Sequence, residues 1–170
     1  QIHETHFHIL VIDDELINLE VIRGQLADDR FQLSFAQSGL EGLELLAEDA
    51  FDLVLLDVMM PGMSGYEVCD RIRQKFNAEE LPVIMVTAKN QVSDLVKGFQ
   101  VGANDYLTKP FVREELLARI DLHLTLKGAV SALIESETKF RSIFDQALEG
   151  IFQITPSGRI FGNPAMASIL

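Results

Sequence analysis

Four short stretches carry residue types that could do chemistry together: Asp13, Asp14 and Glu15 in "VIDDE", Asp57 in "LVLLDVMMPGMSG", Thr87 in "MVTA", and Lys109 with Pro110 in "YLTKPF". Carboxylates gathered in one place push each other's pKa upward unless a cation neutralises them. The donors are hard oxygens with no His or Cys among them, which suits Mg²⁺ and disfavours Zn²⁺. An aspartate beside such a metal can attack phosphorus, with a lysine and a hydroxyl to receive the charge that develops. Taken singly, the same residues have plainer readings. Asp13 or Asp14 could cap the helix that begins near Leu16, Asp57 could simply end a strand, and Thr87 and Lys109 could be surface residues.

The elements that must position them are legible from apolar patterning. The runs at 7–12, 51–56 and 81–86 lack polar alternation, as strands covered on both faces should, whereas "FQLSFAQ" and "NDYLTK" are more polar and fit sheet edges. Between them lie helical spacings: Leu16, Leu19, Ile22, Leu26; Leu40, Leu43, Leu46; Cys69, Ile72, Phe76; Val92, Leu95, Phe99; Leu116, Ile120, Leu124. Five strands alternating with five helices require parallel pairing with right-handed crossovers. The expected fold is α/β, a flavodoxin-like, doubly wound five-stranded parallel sheet of order 2-1-3-4-5, followed by a helical extension. Its strand order reverses between strands 1 and 3, opening a crevice at the carboxyl ends of the strands. All four stretches end at that crevice, and capping does not explain a lysine facing the acids across it. The loop "MMPGMSG" must turn back tightly, with Pro61 restricting its path and Gly62 and Gly65 permitting unusual dihedrals.

"VIDDE", "LLDVMMPGMSG", "MVTA" and "YLTKPF", in this order and at these separations, resemble the signature blocks of bacterial two-component response-regulator receiver domains over about residues 7 to 126. The resemblance implies that Asp57 is the phosphoacceptor. It further implies that Asp14 and Asp57 bind Mg²⁺ directly, that Asp13 acts largely through water, and that the Met59 backbone carbonyl completes the set. Lys109 and the Thr87 hydroxyl would then take transition-state charge. Lys109–Pro110 would be a cis peptide, Thr87 and Tyr106 a switch pair, and Met59 and Lys89 would tune the phosphoryl lifetime. The implied donor is a histidine kinase or phosphotransfer protein. The segment is expected to catalyse only its own phosphorylation and dephosphorylation.

The 26 acidic residues against 14 basic ones, a net charge of −12, repel phosphate backbones and argue against nucleic-acid binding. Cys69, the one cysteine, reads as core. No apolar run reaches the length of a membrane span and no leader-like pattern opens the chain, so a soluble, cytoplasmic segment is expected.

Beyond the receiver, assigned to 1–126, an apolar seam runs through Leu126, Val130, Leu133, Phe140, Phe144 and Ala147. It predicts a linker helix over 127–147 that pairs two chains as a parallel coiled coil, although Gly128 weakens it. Residues 148–170 read as a strand, a Pro-Ser-Gly turn, a strand and the start of a helix. With "ESETKFRSIFDQALE" they resemble the opening of a PAS domain, which implies a longer signalling protein with an output beyond Leu170. A phosphorylation-independent interaction and dimerisation scaffold, or the receiver of a hybrid histidine kinase or nucleotide cyclase, are alternatives. A haloacid-dehalogenase-type phosphatase would need an Asp where Met59 stands, and a flavin carrier would need a hydroxyl-rich loop where "DDELIN" is acidic.

Overall fold

The computed structural model describes residues 6–88, 92–147 and 151–167. Lys89 lies outside them. The chain divides into two compact units, Gln1–Lys127 and Gly128–Leu170.

In the first unit, β1 (Phe7–Ile12), β2 (Phe31–Ala36), β3 (Leu53–Asp57), β4 (Val83–Thr87) and β5 (Asp105–Thr108) form one parallel sheet of order β2-β1-β3-β4-β5. The helices between them are α1 (Leu16–Gln25), α2 (Gly39–Glu48), α3 (Gly65–Arg73) and α4 (Val92–Gln100), and α5 (Arg113–Gln146) follows β5. Every residue of β3 and β4 is buried. Alternate side chains of the central strands feed two separate cores. Leu10, Ile12, Val54, Leu56 and Met85 pack with Val68, Cys69 and Ile72 of α3 on one face. Ile9, Val11, Leu53, Leu55, Ile84 and Val86 pack with Leu19 and Ile22 of α1 and Leu116 and Ile120 of α5 on the other. This two-sided burial is why the strands read as unbroken apolar runs instead of alternating ones.

Three details differ from the sequence expectation. The runs at 51–56 and 81–86 begin ahead of their strands, so Asp57 and Thr87 are the last residues of β3 and β4 rather than residues that follow them. Leu16, Leu40 and Phe99 are 61%, 57% and 53% exposed, although each sits in an apolar helical spacing. In α2 and α4 the close contacts are made by glycines: a Cβ at Gly42 would overlap the Ile12 side chain, and one at Gly98 the Tyr106 ring. Backbone against side chain brings those helices nearer than leucine would, and turns the neighbouring apolar residue outward. Neither Asp13 nor Asp14 is the N-cap of α1, which is Glu15.

In the second unit Gly128 does not interrupt α5. β6 (Phe152–Ile154) and β7 (Ile160–Gly162) form an antiparallel hairpin whose turn holds Gly158 at φ +81°, and α6 (Pro164–Ala167) follows. The buried Asn163 ties this unit together. Its Oδ1 accepts from the Ile151 and Met166 N–H groups at 2.9 and 3.1 Å, and its Nδ2 donates to the Ala147 carbonyl at 3.3 Å.

Candidate phosphoacceptor and metal site

At the carboxyl edge of the sheet, one ligand atom from each of Asp13, Asp14 and Asp57 lies within 4.8 Å of the others. Asp13 and Asp57 are 1% and 5% exposed. The Lys109 ammonium bridges them, donating to Asp13 Oδ2 at 2.7 Å and to Asp57 Oδ1 at 3.1 Å. β5 delivers this lysine to the neighbouring strand end: the Lys109 N–H donates to the Thr87 carbonyl at 2.8 Å, and the Lys109–Pro110 peptide is cis. Asp13 is held on its other oxygen as well, where Oδ1 accepts from the Glu15 N–H at 2.9 Å and from Asn18 Nδ2 at 3.0 Å. Asp57 Oδ2 accepts from the Met59 N–H at 3.1 Å. Thr87 is fully buried beside this group, at the end of β4.

Burial holds the Asp57 carboxyl above its ordinary pKa, with Asp13 adding to the rise and Lys109 opposing it. Burial works to lower the Lys109 pKa, but its hydrogen bond to Asp13 and the charges of Asp57 and Asp13 outweigh this and raise it. Among the described residues, one ammonium bonds to two of the three clustered acids, Asp13 and Asp57. Three acidic side chains against one basic one make a set of hard oxygen donors with excess acid, which fits a divalent cation of the Mg²⁺ type.

The loop after Asp57 is built to keep the acid in place. Gly62 adopts φ +77°, a left-handed conformation that glycine enters freely. Gly65, by contrast, has no positive φ. A Cβ there would overlap the Asp57 carbonyl oxygen and crowd the Val58 Cα, so this glycine is needed for close approach and not for an unusual dihedral. Its N–H donates to the Val58 carbonyl at 3.1 Å. Directly before it, Ser64 and Glu67 form a capping box that starts α3.

Tyr106 is 6% exposed, its ring turned inward and its hydroxyl donating to that of Tyr66 at 3.0 Å. Met59 is 54% exposed, away from the core. The sequence reading did not single out Asn18 or Tyr66. Tyr66 continues the Cys69, Ile72, Phe76 seam back by one turn, and that periodicity could have found it. Asn18 stands five residues after Asp13, where the first turn of α1 passes over the strand end.

A doubly wound sheet with acids at its switch point and a lysine opposing them defines a receiver, and the comparisons agree. The sequence profile of the response regulator receiver domain matches residues 9–121, and the chain belongs to that family. It is 45% identical over 121 residues to an uncharacterised transcriptional regulatory protein, YkoG, of Bacillus subtilis, covering 71% of this chain and 52% of that protein. The solved response regulator DrrB, described as a Thermotoga maritima OmpR/PhoB homologue, matches at 37% identity and TM-score 0.63, over 71% of this chain and 53% of that one. A CheY-like receiver domain protein from Methanospirillum hungatei matches at 26% identity and TM-score 0.68, over 73% and 98%. The chain spans about half the length of the curated relatives it matches. It contains a receiver domain of a two-component response regulator.

Proposed function

We propose that Asp57 accepts a phosphoryl group from the phosphohistidine of a histidine kinase or phosphotransfer protein, and that this change is passed on through α5. The observation that carries the proposal is the Lys109 ammonium bridging Asp13 and Asp57 within a group of three acids. Asp14 and Asp57 would hold Mg²⁺ directly, Asp13 through water, and the Met59 carbonyl would complete the protein's share. Mg²⁺ supplies charge neutralisation for the transferring phosphoryl oxygens when bound. A carboxylate oxygen of Asp57 attacks phosphorus; the O–P bond forms as the P–N bond breaks, and the departing imidazole keeps the electron pair. Lys109, already 3.1 Å from Asp57, pairs with one phosphoryl oxygen, and the Thr87 hydroxyl receives another. The burial of β3 fixes the nucleophile on a rigid support, so little reorganisation accompanies the step.

With Thr87 drawn toward the phosphoryl group, Tyr106 occupies its inward position and the face made by α4, β5 and α5 changes. The organisation we infer is a receiver over 1–126, a linker helix over 127–147 that pairs two copies in parallel, and the opening of a PAS-like domain over 148–170. Support for the last two comes from the exposed apolar residues of α5 and from the hairpin followed by a helix start. No helix among the described residues is long and apolar enough to cross a membrane, which fits a cytoplasmic module. The direct test is intact mass after incubation with Mg²⁺ and acetyl phosphate. One added phosphoryl group, absent from Asp57→Asn, is the expected result; no addition, or addition that persists in the variant, rejects the assignment.

A further inference from the structure

Tyr66 and Tyr106 are the chain's two tyrosines, and they bond to each other. They come from α3 and β5, forty positions apart, and are 7% and 6% exposed. The two partners are held very differently. Tyr66 follows Gly65, whose backbone is wedged against the Asp57 carbonyl, and stands two residues past the Ser64 cap of α3. Its ring is covered by the Lys97 ammonium, 4.5 Å from the centroid. Tyr106 lies in a slot made by the missing side chain of Gly98, with the Phe99 ring at 6.2 Å and a tilt of 55°. Tyr66 is thus anchored through the start of α3, while the inward place of the Tyr106 ring depends on the gap over Gly98 and on the bond to the Tyr66 hydroxyl.

The hydroxyl–hydroxyl bond exists only while the Tyr106 ring is inward. A contact made in one arrangement and absent from the other biases the equilibrium between them by its net worth. We propose that Tyr66 is a positioning residue that holds Tyr106 inward ahead of phosphorylation, so that modification of Asp57 acts on an equilibrium already displaced toward the inward form. This rests on the reading of Thr87 and Tyr106 as a switch pair. Because Gly65 couples the start of α3 to the Asp57 backbone, Tyr66 gives the acceptor a second route to Tyr106, separate from Thr87. A buried hydrogen bond of ordinary strength changes the inward-to-outward ratio about three- to tenfold.

The test uses the whole chain with ring-labelled tyrosine, whose spectrum holds two ring systems in the wild type and one, Tyr106, in Tyr66→Phe. Removing a single oxygen keeps the Tyr66 ring in the core, and thermal unfolding confirms that the variant is folded. Gly98→Ala supplies a reference for the outward ring, since its Cβ fills the slot. The expected result is that Tyr66→Phe moves the Tyr106 resonances toward that reference and increases their broadening by a soluble paramagnetic probe. Mg²⁺ with beryllofluoride, a phosphoryl mimic, should then return them. A Tyr106 ring that stays at its wild-type shift and protection in Tyr66→Phe overturns the proposal; the probe alone decides this if Gly98→Ala does not fold. A ring that moves in Tyr66→Phe while neither protein responds to beryllofluoride supports the anchoring role of Tyr66 and rejects the phosphorylation switch.

Discussion

The Lys109 ammonium stands 3.1 Å from Asp57 Oδ1 while its pKa is raised, so the lysine stays charged in the pocket. That charge has opposite consequences for the two steps of the proposed function. It repels a bound cation and attracts a phosphoryl group. Lys109→Met is therefore expected to tighten Mg²⁺ binding, by about tenfold for each 1.4 kcal/mol of repulsion removed, while phosphorylation of Asp57 slows by at least about tenfold. Calorimetric titration with Mg²⁺ and the rate of phosphoryl incorporation separate the two effects. Parallel loss of both would show that the lysine merely holds the pocket together.

Asp57 itself should titrate above the ordinary carboxylate range, because burial and Asp13 raise its pKa against the opposing effect of Lys109. A nucleophilic carboxylate must be ionised, and a cation bound beside it favours the ionised form, so at limiting Mg²⁺ the rate of phosphorylation falls as pH drops through that raised value, and saturating Mg²⁺ moves the fall to lower pH. Stability runs the other way. A raised folded pKa means that the folded state holds its proton more tightly than the unfolded one, so this group's contribution is present below 3.8 and lost as pH rises through the folded value. Asp57→Asn is expected to raise the melting temperature of the Mg²⁺-free protein at neutral pH and to lose that advantage toward pH 4.

Asp105 has the reverse sign. Burial favours its neutral form, but hydrogen bonds from His123, the Tyr106 N–H and Arg119 outweigh it and bring the pKa down to about 2. Its stabilising contribution is present above 3.8 and lost as pH falls through about 2. The difference corresponds to about 2 kcal/mol at neutral pH. Denaturant unfolding of Asp105→Asn should show a deficit of that order at pH 7 that narrows below pH 4; a deficit independent of pH would assign the effect to packing.

Two glycines of one loop make a controlled pair. Gly65→Ala places a Cβ on the Asp57 carbonyl and should shift the acceptor, destabilising the fold by about 1–3 kcal/mol and depressing phosphorylation with it. Gly62→Ala meets open space and carries only the penalty of φ +77°, about 1 kcal/mol, so phosphorylation should be nearly unchanged. Equal effects on phosphorylation would remove Gly65 from the site.

The strands and their polar termini were legible in the sequence because two-sided burial leaves an unmistakable trace, an apolar run ended by Asp57 or Thr87. The edge assignments of β2 and β5 followed from the same contrast. What escaped was set by distance in the chain. Nothing local tells that the Tyr66 hydroxyl meets that of Tyr106, that Asn18 steadies Asp13, or that Gly65 is pressed against a backbone oxygen rather than bent into a special dihedral. Leu40 and Phe99 misled for a related reason: helical periodicity marks an apolar stripe, but where a glycine makes the contact the helix rolls and exposes its neighbour.

The same logic applies to α5, where Leu133 and Phe140 are 68% and 58% exposed. Apolar side chains left in water at a spacing of seven are unfavourable for a lone helix and favourable for a paired one, since each buried methylene contributes about 0.8 kcal/mol on association. Leu133→Glu with Phe140→Glu is therefore expected to abolish self-association of the chain and leave the unfolding transition of the receiver unchanged, because both residues lie beyond Lys127 and outside its two cores. Sedimentation equilibrium over a wide concentration range reads the first effect and thermal unfolding the second. A wild-type chain that stays monomeric throughout would reject pairing through the helix. A variant that loses receiver stability would instead show that this face packs on its own chain.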